Sequence, residues 1–180
     1  MCMRKFFCSL LVLLVSLGLS SARGAEPSSV RVDFVNPKSF SDFRIQGRNE
    51  IASVPIFRDK VSDNLSPILA KRFPGKTLTL RFTDINLAGR IDLSRVRRLN
   101  NVRIEREGAS PLRLEFDYVL ADSHGKVLAT GPVNLVDSDY LRRYVNYPIS
   151  ERSATLFYEN ETISRWLNGL APSGSSFAGK

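Results

Sequence analysis

Alternating hydrophobic and polar residues recur along this chain and predict its strands. The alternation runs through residues 30–34, 77–83, 112–120 and 127–136, with a shorter candidate at 102–105. Because successive side chains of a strand point to opposite faces, each segment is expected to bury one face. Asp-Ser-His-Gly at residues 122–125 forms a turn signal, so the last two long segments predict a hairpin. Gly131 and Pro132 interrupt the returning strand and predict a bulge or an edge position.

Two other segments follow the spacing of a helix rather than that of a strand. Hydrophobic residues at positions 57–69 recur on one helical face, and a second helix is predicted over residues 153–167. Pro67 lies inside the first segment and removes a backbone hydrogen bond, which predicts a kink or a restart capped by Ser66. Residues 38–55 are polar and irregular, and predict a loop.

The order of these segments predicts an α+β fold: an antiparallel sheet of four to five strands with two helices packed on one face. Residues 26–168 are expected to form a single domain, which is long enough to bury a proper core. Residues 169–180 are rich in Gly, Ser and Pro and predict a disordered tail.

A continuous apolar run precedes the predicted domain. Arg4 and Lys5 give a positive start, residues 6–19 are almost entirely apolar, and small residues follow them. This order is typical of a signal peptide, and the run is shorter than the roughly 20 apolar residues of a membrane span. Residues 1–25 therefore predict a signal peptide cleaved between residues 22 and 25, with an uncleaved anchor helix as the alternative. We expect an exported, periplasmic protein with no transmembrane span after cleavage.

Removal of this segment would change the chemistry of the chain. Both cysteines, Cys2 and Cys8, lie within it, so the mature domain would hold no thiol. Disulfides, cysteine nucleophiles and thiolate metal sites are thereby excluded. Three positive charges are lost with it, which lowers the formal net charge from +8 to +5.

Much of the remaining positive charge is arginine between positions 90 and 106. The cluster consists of Arg90, Arg95, Arg97, Arg98, Arg103 and Arg106. A basic patch attracts phosphates, anionic lipid or acidic protein surfaces, whereas the alternative is a solvated basic loop. In the envelope, an envelope protein or an anionic lipid headgroup is the expected partner, and nucleic acid is not.

A second candidate surface combines tyrosine with arginine. Its residues are Tyr140, Arg142, Arg143 and Tyr144, followed by Tyr147. Both residue types are favoured at interfaces. The same side chains could instead cover the open edge of the sheet.

Candidates for catalysis are few. The one histidine, His124, lies in the predicted hairpin turn, where the oriented partner and pocket of a general base are not expected. Asp84, Asp137 and Asp139 could serve a hydrolase or transferase, or bind calcium or magnesium, but their spacing matches no recognised loop. Turn or helix capping is the favoured role for Asp137 and Asp139. No catalytic residue, metal site or cofactor is predicted.

The segment Asp84-Ile85-Asn86-Leu87-Ala88-Gly89-Arg90 resembles a family of exported bacterial proteins known as domain of unknown function 3016. Three further pieces resemble the family: residues 114–122 with Gly125, Gly131 with residues 135–137 and Tyr140, and residues 156–159 with Trp166. The resemblance covers roughly residues 30–166, and the order of the pieces supports it. It implies a Gram-negative envelope protein and brings no catalytic residues.

A structural role is expected for the conspicuous residues of that segment. They are Asp84, Leu87, Ala88 and Gly89, together with Asp137. A carboxylate–arginine pair such as Asp84 with Arg90 could fix the loop, because a guanidinium fork gives orientation as well as energy. The chain is thus interpreted as a non-enzymatic binding or accessory domain of the cell envelope. The alternatives are a carboxylate-dependent hydrolase or transferase and a structural or stress-related envelope protein.

Overall fold

The structure, a computed structural model, describes residues 27–45, 47–91, 103–104 and 110–171. Several predictions fall outside these residues: the signal peptide, the cluster residues Arg95, Arg97, Arg98 and Arg106, and the tail beyond residue 171. For Arg103, the structure describes the backbone but not the side chain.

The described elements follow one another in an α+β order. They are β1 (Ser29–Phe34), a short 3-10 helix (Pro37–Ser39), α1 (Glu50–Arg72), β2 (Thr77–Asn86), β3 (Arg90–Ile91), β4 (Arg103–Ile104), β5 (Leu112–Ala121), β6 (Val127–Asp137), α2 (Tyr140–Arg143), α3 (Ile149–Arg152) and α4 (Phe157–Gly169).

The main sheet has four strands in the order β1-β2-β5-β6. The prediction of an α+β fold is confirmed, but the prediction of a purely antiparallel sheet is wrong, since β1 pairs with β2 in parallel. The reason is the connection: α1 carries the chain from the end of β1 back to the level at which β1 began. The candidate strand at 102–105 does not join this sheet, because β4 pairs with β3 in a separate two-stranded ladder.

The predicted hairpin is formed by β5 and β6, which pair antiparallel over their whole length. In the turn, one carboxylate oxygen of Asp122 accepts hydrogen bonds from the backbone N–H groups of His124 and Lys126 at 2.9 and 3.0 Å. Pro132 lies in an edge strand, which is where proline is tolerated within a sheet. The irregularity of the ladder falls at Leu120 and Ala121, not at Gly131 and Pro132.

Helix α1 is longer than the hydrophobic spacing predicts. The side chain of Asn49 accepts a hydrogen bond from the Ala52 N–H at 2.8 Å and caps the helix, so the loop prediction for residues 38–55 is wrong from Glu50 onward. The Ser66 hydroxyl donates to the Ser62 carbonyl one turn earlier, at 2.6 Å, and caps no new helix. The helix therefore continues through Pro67 without the restart considered above.

The second predicted helix begins later in the structure than residues 153–167 predict. α4 begins only at Phe157, after Leu156 adopts a left-handed backbone conformation with a φ of 63°, while the single turn of α3 lies before the predicted segment. A non-glycine residue in this region does not continue a right-handed helix, which explains why the helix begins after it. The hydrophobic pattern of residues 153–167 did not show this later start.

A row of aromatic rings connects the helices with the sheet. Phe57 of α1 meets Phe82 of β2 edge-on at 5.1 Å between ring centroids. Phe82 lies 5.0 Å from its cross-strand partner Phe116, and Trp166 of α4 meets Phe116 edge-on at 5.1 Å. Such pairs contribute about 0.5–1.5 kcal/mol each beyond the area that they bury. The row thereby fixes α4 beside the β5–β6 hairpin.

Candidate functional site

Asp84 connects three separate parts of the chain. Its carboxylate accepts hydrogen bonds from the backbone N–H and the hydroxyl of Ser41, both at 2.7 Å, and from the Arg113 guanidinium at 2.6 Å. Burial raises the pKa of Asp84, but the bonds from Ser41 and the charge of Arg113 outweigh it and hold the pKa below its usual value. The arginine that pairs with Asp84 in the described part of the chain is therefore Arg113, while Arg90 is exposed on β3.

The rest of this motif joins β2 to α4. Leu87 and Ala88 are buried, and the Ala88 N–H donates to the buried carboxylate of Glu159 at 2.8 Å. Gly89 follows with a φ of 79°, a conformation that side-chain-bearing residues rarely adopt. Asp84, Leu87, Ala88 and Gly89 thus form a structural joint rather than an open surface.

Two of the three tyrosines of the second candidate surface lie inside the protein, whereas Tyr147 is 40% exposed. Tyr140 and Tyr144 are both buried, and their rings contact that of Tyr158 at 5.0 and 6.0 Å. These two rings therefore expose little area to a partner, because the chain turns them toward α4. The neighbouring Arg142 and Arg143 remain exposed.

Arg143 belongs to a cluster built around Asp137. The Asp137 side chain is only 2% exposed, yet it pairs with Arg143 and with Arg165, whose side chains are 46% and 45% exposed. The Arg143 Nε and the Arg165 Nη2 each lie 3.0 Å from Asp137 Oδ2. The Asp139 N–H donates to Asp137 Oδ1 at 3.1 Å. One buried carboxylate therefore holds two half-exposed guanidinium groups.

The cluster is ionised at neutral pH. Burial raises the pKa of Asp137, but the hydrogen bonds from Arg165 and Arg143 outweigh it and hold the pKa below its usual value. The hydrogen bond and charge of Asp137 raise the pKa of Arg143. Two positive groups and one negative group leave a local excess of one positive charge.

A cleft opens beside this cluster. We name it the arginine cleft; its volume is about 320 Å³, and it is lined by Asn134, Leu135, Val136, Asp137, Arg143, Thr162, Arg165 and Trp166. Strand β6 supplies one wall, and α4 supplies the other. A second depression of about 460 Å³ shares Arg143 and Arg165 and continues to Tyr144, Glu161, Ser164 and Asn168. Arg143 and Arg165 therefore line both the arginine cleft and the second depression.

Several donors of the arginine pair remain for a ligand. Arg143 uses its Nε and Nη2 on Asp137, and Arg165 uses its Nη2 on Asp137 and on the Thr162 hydroxyl. Within the described residues, Arg143 Nη1 and Arg165 Nε and Nη1 have no hydrogen-bond acceptor. A guanidinium group that a carboxylate holds along one edge can donate hydrogen bonds from its other edge to a phosphate or carboxylate oxygen.

Other chemistry receives less support from this geometry. His124 is exposed in the hairpin turn, and Asp84 and Asp137 are paired with arginines that favour their ionised forms. A carboxylate with a depressed pKa is a poor general acid near neutral pH. In the part of the chain that the structure describes, no three His, Cys, Asp or Glu residues lie together as a metal site would require. No described helix is both long and apolar enough to cross a membrane.

Sequence reasoning found Asp137 and Arg143 but missed Arg165, Thr162 and Arg113. The proximity of Trp166 to Arg165 was a weak signal, since tryptophan and arginine occur together at binding surfaces. Nothing in the local pattern shows that Arg165 reaches a carboxylate 28 residues earlier.

The fold and the arginine cleft together define a small α+β domain with a basic surface site. Residues 28–169 match the model of a family described as protein of unknown function, DUF3016, and the chain belongs to this family. The resemblance inferred from the motif around Asp84 is thereby confirmed. Among curated proteins, no match to the chain was found.

Proposed function

We propose that this protein is an exported, periplasmic binding domain of the cell envelope, and that its arginine cleft binds an anionic group of an envelope component. One observation carries the proposal: a buried Asp137 holds Arg143 and Arg165 at the surface with donors to spare. Pre-oriented guanidinium groups lose little side-chain entropy when they bind an oxyanion. The expected ligand group is a phosphate or a carboxylate.

The helix arrangement supports the proposal. We infer that α1 and α4 cover the same face of the sheet, as the contacts of Phe57 with Phe82 and of Trp166 with Phe116 indicate. This places Thr162, Arg165 and Trp166 of α4 along the edge strand β6. The cleft is then a rigid feature between a helix and a strand, as a specific binding site requires.

Trp166 gives a direct optical readout of the cleft. It is the only tryptophan of the chain and lines the cleft, so its fluorescence responds to a ligand placed there. The protein recovered after expression of the full chain is titrated with inorganic pyrophosphate at fixed ionic strength. We expect a saturable change in emission. The substitution Arg165→Gln should weaken binding about tenfold or more, because a charge-assisted hydrogen bond is lost.

The matched control is Arg48→Gln, which removes the same charge from an exposed position before α1. It should leave the affinity essentially unchanged. An equal loss in both variants would mean that only net charge matters and would contradict the proposal. A wild-type titration without saturation would contradict it as well.

A further inference from the structure

A short apolar segment projects beside the second depression. Val145, Tyr147 and Ile149 are 59%, 40% and 74% exposed and lie within five residues of one another. They extend from the connection after α2 to Ile149, the first residue of α3, and we name residues 145–149 the apolar tip. Single exposed hydrophobic residues are ordinary, but three so close together form a patch that requires an explanation.

Ring contacts and hydrogen bonds of Tyr147 hold the apolar tip against the rest of the domain. The ring of Tyr147 packs edge-on against those of Tyr144 and Phe157, with centroids 5.6 and 5.4 Å away. The Arg152 Nε donates to the Tyr147 carbonyl at 3.1 Å, and the Tyr147 N–H donates to the Tyr144 carbonyl at 3.0 Å. Tyr144 also lines the second depression with Arg143 and Arg165, so the apolar tip is packed against a residue that borders the arginine pair.

The charged residues next to the apolar tip in sequence are mostly positive. Arg142, Arg143 and Arg152 flank it, and Glu151 is the one acidic residue between positions 142 and 152. In the second depression, Glu161 lies with Arg143 and Arg165, so the arginines outnumber the acidic residues there as well. Three side chains are far fewer than the roughly 20 residues per partner of a stable protein interface. A few apolar side chains beside cations are, by contrast, suited to the headgroup layer of an anionic membrane.

We propose that the apolar tip inserts into the headgroup region of an anionic lipid surface while Arg143 and Arg165 bind a lipid phosphate. The inference rests on the proposed anion site and assigns its ligand to a membrane. It adds the requirement that Ile149 and Val145 leave water on binding.

Sedimentation with vesicles tests this inference. The protein is mixed with vesicles of phosphatidylcholine alone or of phosphatidylcholine with phosphatidylglycerol, and the bound fraction is measured. We expect binding to the vesicles that contain phosphatidylglycerol only. The substitution Ile149→Ser should weaken that binding about fivefold to tenfold, because the apolar side chain no longer leaves water. The control Ile51→Ser changes an equally apolar residue, 50% exposed on α1, and should have no effect.

The outcomes separate this inference from the proposed function. Vesicle binding that is unaffected by Ile149→Ser, or affected equally by Ile51→Ser, would overturn the role of the apolar tip. Pyrophosphate binding without vesicle binding would overturn the lipid assignment and leave the anion site standing. Self-association that Ile149→Ser abolishes would assign the tip to a second copy of the chain and would also overturn the inference. The pyrophosphate affinity of Ile149→Ser should equal that of the wild type.

Discussion

Among single residues, Asp137 has the most influence on the proposed site. The substitution Asp137→Asn keeps the shape but removes the charge that pairs with Arg143 and Arg165. We expect the free energy of unfolding at pH 7 to fall by about 1.5–3 kcal/mol, the range for hydrogen bonds to charged groups. Urea denaturation measures this loss, and pyrophosphate affinity should fall with it because the guanidinium groups lose their orientation.

The loss should depend on pH in one direction. The pKa of Asp137 is depressed in the folded protein, so its contribution to stability is present above the unfolded value of about 3.9 and is lost as the pH falls through the folded value. The difference in stability between the wild type and Asp137→Asn should therefore shrink in acid. A difference that stays constant from pH 7 to about pH 3 would contradict the assigned ion pairs.

A substitution of Asp84 should lower stability without changing pyrophosphate affinity, unlike a substitution of Asp137. Asp84→Ala leaves Ser41 and Arg113 without their common acceptor, so stability should fall by about 1–3 kcal/mol. Since Asp84 does not line the arginine cleft, the pyrophosphate affinity of the folded variant should match that of the wild type. A stable variant that no longer binds would show that Asp84 belongs to the site and not to the framework.

At the scale of secondary-structure elements, a substitution of Gly89 tests whether the connection after β2 requires a positive φ. Gly89→Ala forces a side chain into a positive φ and should cost about 1–2 kcal/mol of stability. Gly169→Ala is the matched control, because Gly169 ends α4 with no atom near an added Cβ. It should be neutral or slightly stabilising. Thermal unfolding of both proteins gives the comparison, and equal midpoints would contradict the constraint.

The strands were more predictable than their arrangement. Alternation is a local property, so β5, β6 and their hairpin could be read from residues 112–136. The parallel pairing of β1 depends on the path of α1, which no local pattern records. The start of α1 was missed because Asn49 defines it through a cap, while the segment after it contains Pro55.

Only part of the candidate site could be predicted, because some of its contacts join residues that are distant in sequence. Arg143 lies six residues from Asp137, and both could be found in one segment. Arg165 reaches the same carboxylate because the aromatic contacts of Trp166 fix α4 against β5. The sequence pattern did not reveal burial either. Tyr140 and Tyr144 are of a residue type that is common at interfaces, but the fold buries both side chains.

For the whole molecule, the proposal depends on export. If residues 1–25 are a signal peptide, the protein recovered from a periplasmic extract should begin between Arg23 and Glu26. Amino-terminal sequencing of that protein measures the cleavage site. A chain that keeps Met1 and stays in the membrane fraction would support the uncleaved anchor and contradict a free periplasmic domain.

The most direct test of the arginine cleft is a titration of the protein with inorganic phosphate, followed through the side-chain Nε–H signals of its arginines by NMR. We predict that the Arg143 and Arg165 signals shift together and saturate at one affinity, while that of Arg48 stays in place. Signals of Arg143 and Arg165 that do not move, or a uniform and unsaturated drift of all arginine signals, would contradict the account.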